Sequence, residues 1–345
     1  MEKNLDQELK GFSKLTREQR YQKLTELGFL DQLDVDFLRA GAHVAPELAE
    51  HFIENVIGFF QMPLGVATNF RIDGQDYVIP MAVEETSIIA AASKTAKWVR
   101  EFGECRTGVI GDCIIGQIQI SRLNNPFQFK QKIEEKRVEL LKRCNEIAEG
   151  LCRRGGGFKD ISVRILDRHD EKKMGVIHLY ANPVDAMGAN IMNQVCEGLK
   201  PQIEKLTGEK VSMCILSNLV DSKLTRAEIL IRNIDPVIGH GIEEASYFAQ
   251  LDPYRAATNN KGVLNGIDPI LLATGNDWRA VEAGVHAYAA RSGQYTSITK
   301  WKMVGRDLVG ELEAPIIVGT VGGVTRLHPT AKMSLKILRV ESAES

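Results

Sequence analysis

Apolar residues recur at two different periods along this chain of 345 residues. From Leu15 to Leu27 leucines are spaced among charges in a helical rhythm, and Phe37 to Ile53 continues in that manner, with Pro46 in a first turn. From Glu54 to Glu85 the pattern changes to short β-rich runs broken by Pro63 and Gly65. Asp73-Gly74 between two such runs is a two-residue hairpin signal, so a strand pair is predicted. Thr86 or Ser87 then caps a helix whose small face, Ala90, Ala91, Ala92 and Ala96, permits close packing.

Beyond Gly111 the alternation becomes regular. IIGQIQI reads as a strand, residues 126–154 as one long charged helix, DISVRILD and MGVIHLY as strands, NIMNQVCEGLKPQIEKL as a helix and VSMCILS as a last strand. The order β-α-β-β-α-β is the split βαβ, ferredoxin-like arrangement. The fold class expected is therefore α+β: a large mixed domain made of residues 1–111 and 217–345, interrupted by a small inserted domain, residues 112–216. Gly239 to Gly241 and Gly305 to Gly310 read as turns.

Composition narrows the function. With 44% apolar and 26% charged residues the chain buries ample surface for an enzyme-sized globular protein. Its net charge is −2, evenly spread, so no field gathers nucleic acid or an anionic membrane. The N-terminus is charged and no apolar run approaches the roughly 18 residues of a membrane span, so the expected location is cytoplasmic. Six cysteines lack CxxC spacing and seven histidines lack HExxH, so no metal site is expected. His286, on a periodic run, reads as a core histidine.

The residues that invite chemistry lie elsewhere. Lys261 sits in ATNNKGVLNGIDP among small and apolar residues, where burial calls for an opposite charge, and Asp277 in GNDW is a candidate for it. A surface turn aspartate is the competing reading of Asp277. Glu84 and Glu85 are adjacent, so only one enters a shared site. Glu85 close to Asp277 would keep one carboxyl protonated and make a general acid. No GxGxxG follows a strand and no P-loop occurs. What exists is Asp185-Ala186-Met187-Gly188-Ala189-Asn190, between a strand and a helix: Gly188 lets backbone approach a phosphate, while a plain N-cap role for Asp185 stands beside that reading.

ENVIG (54–58), the VEE-x-SIIAAAS segment, DAMGAN, ILSN (215–218), DPYRAATNNKG-x-x-NGIDP and ATGNDWRA-x-EAG-x-HAYA occur in one order, and together they closely resemble the class II, bacterial-type 3-hydroxy-3-methylglutaryl-CoA reductases over residues 10–340. The resemblance implies reduction of 3-hydroxy-3-methylglutaryl-CoA to mevalonate and CoA with two NAD or NADP cofactors, or the reverse, and no metal. It implies that Lys261 stabilises the thioester oxyanion, that Glu85 supplies a proton at the mevaldehyde stage and that Asp277 links the two. Ser87, Arg255 and Asn265 match positions that hold the hydroxymethylglutaryl group. Asp185, Met187, Gly188 and Asn190 match the cofactor loop, with Asn218 where the small domain returns to the active site. A homodimer, or a larger assembly of dimers, is implied, with the site between subunits and ENVIG in the interface.

Two departures accompany the resemblance. Relatives continue into a C-terminal flap with a GHM-type histidine, which is expected to be absent here. NAD-preferring relatives carry an aspartate in the helix before the glycines, where Ala148 stands, with Glu146 and Glu149 nearby. Without the flap, the rival expectation is a non-catalytic dimeric acyl-CoA-binding or assembly protein.

Overall fold

The computed structural model describes residues 5–343. Numbering the helices of eight residues or more, the chain opens with α1 (Arg17–Glu26) and α2 (Gln32–Arg39). Thr16 and Asp31 start them through reciprocal capping boxes with Gln19 and Asp34. The helix expected over Phe37 to Ile53 is reduced to α2 and one turn, Pro46–Ala49, with proline at its first position as predicted. A hairpin follows, β1 (Leu64–Ile72) and β2 (Gln75–Ala82), turned by Asp73 and Gly74, both at positive φ. That is the two-residue turn predicted from the dipeptide. A short loop then leads to α3 (Ile88–Phe102).

β3 (Gly103–Ile110) leaves this layer, and β8 (Leu224–Ile231) returns beside it, pairing antiparallel from Gly103 opposite Ile231 to Ile110 opposite Leu224. Between them run β4 (Ile114–Ile120), α4 (Pro126–Glu135), α5 (Arg137–Ile147), β5 (Gly157–Asp167), β6 (Lys173–Asn182), α6 (Ala189–Thr207) and β7 (Met213–Ser217). Their sheet has the order β5-β6-β4-β7, every pair antiparallel. Ile118, Ile177 and Leu179 from the sheet meet Met192, Val195 and Leu199 from α6 and Phe129, Ile133 and Leu140 from α4 and α5. The ferredoxin-like arrangement is present. The single helix expected over 126–154 is instead broken at Lys136 and again at Ala148, whose dihedrals leave the helical region.

After β8 come α7 (Pro236–Leu251), α8 (Pro253–Ala273), α9 (Trp278–Ala289), the hairpin β9 (Thr299–Val304) and β10 (Asp307–Ala314), and α10 (Pro329–Leu338). Gly239 and Gly241 lie inside α7 rather than in a turn, because Asp235 caps the helix ahead of them. Gly305 does turn the last hairpin, while Gly310 lies within β10 beneath Trp301.

One buried ion pair ties the first layer together. Arg100, at the end of α3, makes two bonds to Asp76 at the start of β2, 2.7 and 2.9 Å, with the side chains 9% and 15% exposed. Burial works to raise the Asp76 carboxyl, and the paired Arg100 and Arg71 outweigh it, holding it below the usual aspartate range. A depressed folded-state value contributes stability above the unfolded value that is lost as pH falls through the folded one. Asp76→Asn should therefore cost about 2–4 kcal/mol at neutral pH, and the difference from the parent should shrink below about pH 4, both read by urea denaturation.

Candidate functional site

The loop between β2 and α3 carries Glu85 and Ser87. Ser87 takes the N-cap position of α3 with φ 73, a left-handed conformation costly for a residue with a side chain, and its hydroxyl makes no capping bond. A capping serine normally spends its oxygen on the helix amides. Here the hydroxyl is left for another partner, and Glu85 stands just ahead of the helix.

Lys261 comes from α8. Asp252 caps that helix by accepting from the Arg255 amide, Pro253 starts it, and Lys261 follows with Asn265 one turn further on the same face. Pro269, four residues beyond Asn265, has no N–H for the Asn265 carbonyl, so this turn is opened twice, at side chain and backbone. Lys261 Nζ donates to Glu85 Oε2 at 3.0 Å across 176 residues of sequence. The two side chains are 60% and 51% exposed in the single chain. The buried amine expected from the apolar neighbours is thus corrected: α8 turns its apolar residues inward and presents Lys261 on the open side. Beside it, Gly262 and Gly266 have empty space where a Cβ would project.

Asp277 does not join them. It caps α9, accepting from the Ala280 amide at 3.1 Å, and pairs with Arg279 at 3.4 Å. The helix from Lys261 to Ala273 separates it from the amine by about 18 Å along the axis, at 1.5 Å per residue. The carboxyl pair expected between Glu85 and Asp277 is absent within one chain for that reason.

The helix that Asp277 caps instead shares a small cleft with the loop 185–190, through Ala280 and Met187. Gly188, at φ 84, is the N-cap of α6, with no side chain covering the first amides. A Cβ there would lie 2.8 Å from Pro183 Cβ and 2.5 Å from Ile114 Cδ1, so only glycine fits. Asp185 is not the cap. Its carbonyl accepts from Thr320 and its carboxylate from the Ala343 amide at 3.1 Å. Asn190 is exposed on the first turn of α6. Met187 and Asn218 line a small cleft with Ile114, Leu216 and Ile317, closed on one side by Ala280 of α9.

Two residues not singled out in the sequence join these pieces. Gly319 donates its amide to Asn276 Oδ1 at 2.8 Å, and a Cβ on Gly319 would lie 2.8 Å from the Met187 nitrogen. The residue before Asp277 therefore grips the extended segment after β10 that lies against the 185–190 loop. No residue pattern marks Asn276 for this role, since its partner lies 43 positions away. A second feature missed is a groove of 890 Å³ that contains Glu85 and Ser87 and is rimmed by Arg17, Arg20, Lys94 and Lys97. His286 meets Tyr295 at 2.8 Å, as a satisfied interior histidine does. Among the described residues no group of three His, Cys, Asp or Glu could hold a metal ion, and no helix is long and apolar enough to cross a membrane.

The chain thus presents two separate halves: an ammonium and a carboxylate with a free hydroxyl beside a basic groove, and an aspartate-capped helix that shares a cleft with an uncapped helix start. Residues 16–345 match the family model described as hydroxymethylglutaryl-coenzyme A reductase. Similar proteins include the 3-hydroxy-3-methylglutaryl-coenzyme A reductase of Archaeoglobus fulgidus, 45% identical over 97% of this chain and 77% of that protein. A probable reductase of Borreliella burgdorferi is 32% identical over 97% of this chain and 78% of that one. The solved class II reductase of Streptococcus pneumoniae, bound to NADPH in open conformations, superposes with TM-score 0.94 at 36% identity, covering 97% of this chain and 93% of that one. On this family match and these identities across nearly its whole length, the chain belongs to the hydroxymethylglutaryl-coenzyme A reductases, in their class II form.

Proposed function

We propose that this reductase builds its active site from two copies of the chain: Glu85, Ser87, Arg255, Lys261 and Asn265 of one protomer, and Asp277 with the cofactor loop of the other. The observation that carries the reading is the 3.0 Å pair between Lys261 and Glu85, left open to solvent and some 18 Å of helix away from Asp277. Supporting it, the single chain exposes apolar side chains where a second copy would sit: Ile53, Ile57 and Phe60 in the arm ahead of β1, and Phe248, Leu251 and Tyr254 near the α7–α8 junction. Such a patch on a charge-balanced protein marks an interface. A division into a substrate and dimerisation part (1–111 and 217–345) and a cofactor part (112–216) belongs to this reading, as does a cytoplasmic location.

The substrate is 3-hydroxy-3-methylglutaryl-CoA, and the products are mevalonate and CoA. Its acyl end reaches Lys261 while the CoA phosphates follow the groove rimmed by Arg17, Arg20, Lys94 and Lys97, where cations attract anionic oxygens. The Lys261 ammonium donates to the thioester oxygen and meets the negative charge that develops there; preorganised donors of this kind are worth about 3–4 kcal/mol. Glu85, which accepts from Lys261 in the resting chain, takes up a proton from solvent and hands it to the aldehyde-level oxygen as hydride reaches the carbon, with Lys261 holding its carboxyl in place. Asp277 of the second copy would approach Lys261 from the open side and bias its hydrogen bonding. The hydroxyl of Ser87, the Asn265 amide and the Arg255 guanidinium suit the hydroxymethylglutaryl carboxylate and hydroxyl.

The residues at the start of α6 fit a dinucleotide: the uncapped amides take a pyrophosphate, and Gly188 lets it come close. When bound, the nicotinamide supplies hydride. Asp185, Met187, Gly188, Asn190 and Asn218 hold and orient it beside Asp277. Ala148 is 1% exposed and places no carboxylate toward a ribose, and the cofactor read here is NADPH, as in the pneumococcal neighbour.

Lys261→Ala should lower kcat for nicotinamide oxidation by about 100-fold or more while the dimer persists in sedimentation; retention of more than about a tenth of the activity contradicts the role of Lys261. A mixing experiment tests the shared site. Lys261→Ala and Asp277→Asn proteins, each inactive alone, should recover about a quarter of parental activity after subunit exchange, since half the dimers are mixed and each holds one intact site. No recovery on proven exchange means that one chain supplies both residues.

A further inference from the structure

β6 ends in a sharp bend that no step above accounts for. Val184, directly ahead of the loop 185–190, has φ 58 and is the one β-branched residue at positive φ among the described residues. The left-handed region brings Cβ too close to the following carbonyl oxygen, and a branched Cβ worsens the clash. Glycine would take this backbone without that clash, as it does at Gly188 four residues on. A valine stays there only where its surroundings over-determine the bend.

Three contacts do so. The Val184 amide donates to Asn182 Oδ1 at 2.7 Å, closing the bend from within. Gly156 leaves the room that the valine side chain fills: a Cβ at that position would lie 2.8 Å from Val184 Cγ2 and 2.5 Å from the Asn182 carbonyl oxygen. The Asn182 side-chain nitrogen donates in turn to Asp112 Oδ2 at 2.9 Å, which fixes the orientation of the amide that Val184 uses. Asp112 is itself held. Lys159 binds the same carboxylate and, outweighing burial, keeps it below the usual aspartate range and so an acceptor for Asn182.

Asp112 stands where the chain enters the sheet β5-β6-β4-β7. It lies between Gly111, whose Cβ would meet the Ser222 carbonyl oxygen at 2.2 Å, and Cys113, whose carbonyl accepts from Ser222 Oγ at 2.6 Å. The entering and leaving segments are thus joined at this point. Through Asn182, 70 positions away in sequence, Asp112 ties that join to the start of the loop 185–190.

We propose that Asn182, backed by Asp112, is a positioning residue for the dinucleotide: it holds Val184 in its left-handed turn and so sets the direction in which the loop 185–190 leaves the sheet. The inference rests on the reading that this loop takes the cofactor. Both residues act through the backbone of Val184 rather than by contact with the dinucleotide. At its far side the loop is fastened by the Thr320 amide on the Asp185 carbonyl, so releasing Asn182 frees one end only. The sheet persists, while the strained turn relaxes and the loop takes other directions. Phosphate then meets amides that must first be aimed, and affinity falls by the fraction of chains in which they are.

The test uses the full chain and reads NADPH binding directly, by the change in nicotinamide fluorescence, beside steady-state rates. Asn182→Ala should raise the Kd for NADPH by about tenfold while KM for 3-hydroxy-3-methylglutaryl-CoA stays within about twofold. In a Val184→Gly background the same substitution should change that Kd by less than about twofold, because glycine holds a positive φ without restraint. Asp112→Ala, which leaves Asn182 in place without its support, should raise the Kd by about fivefold, and it decides the matter should Asn182→Ala not fold. A Kd within about twofold of the parent in the variants of Asn182 and Asp112 that fold overturns the proposal. So does a parallel rise in both constants, which marks a general loss of structure. Equal effects of Asn182→Ala in the valine and glycine backgrounds overturn the part given to Val184. Gly188→Ala separates all this from the reading beneath it, since its Cβ would press on Pro183 and Ile114 within the loop itself. If Gly188→Ala weakens NADPH and Asn182→Ala does not, the positioning role fails; if neither does, the loop is not where the cofactor binds.

Discussion

A continuous helix is a ruler, and α8 holds Lys261 and the turn before Asp277 apart. No rotamer of a lysine, some 6 Å long, spans twelve residues of helical rise. Everything else about the site follows from that separation. In the two-copy reading proposed above, the half bearing Lys261 is completed from outside the chain, and with that reading agree an exposed ion pair, a serine hydroxyl left free of its capping duty, and glycines at 262 and 266 whose missing side chains leave open space. In the same reading the half bearing Asp277 serves another copy and moves together with the loop 185–190.

The links around Asn276 hold this half together. Its side-chain Oδ1 accepts from the Gly319 amide, whose backbone lies against Met187, and the Thr320 amide donates to the backbone carbonyl of Asp185. The small sheet with its own core hangs from the rest of the chain through β3 and β8, two antiparallel neighbours. An insertion held by only two strands is free to reorient as a unit unless something fastens its working edge. The Asn276, Gly319 and Thr320 contacts fasten the edge that matters, so that the loop at 185–190 and the cap of α9 keep one geometry.

How much of this was legible in the sequence depends on the range of the force involved. Local signals were readable: the Asp73-Gly74 turn, the alternating strands of the inserted unit, proline at the start of Pro46–Ala49, and glycine at the close approach before α6. Motif order was readable too, and it carried the family. Breaks at Lys136 and Ala148 were not, because neither residue is glycine or proline; the helices bend there to wrap the small sheet, a tertiary demand. The reverse holds at Gly239 and Gly241, where the Asp235 cap and Pro236 outweigh the helix-weakening glycines. Burial of Lys261 was misjudged because apolar neighbours in sequence sit on the opposite side of a helix in space.

The exposure of the Lys261 and Glu85 pair also argues about energy. In a single chain such a pair adds no more than about 1 kcal/mol to stability, since water screens both charges. Folding therefore supplies little reason to place them 3.0 Å apart. Their value rises when a second surface and an acyl thioester exclude that water, because the same charges at the same distance then interact several times more strongly in a lower effective dielectric. An ammonium already aligned by Glu85 loses little freedom at that moment, so the gain goes to the oxygen that acquires charge rather than to ordering the side chain. In the proposed two-copy site, the separation imposed by α8 keeps the pair solvated until the second copy covers it, and the field at the thioester oxygen comes to full strength only then.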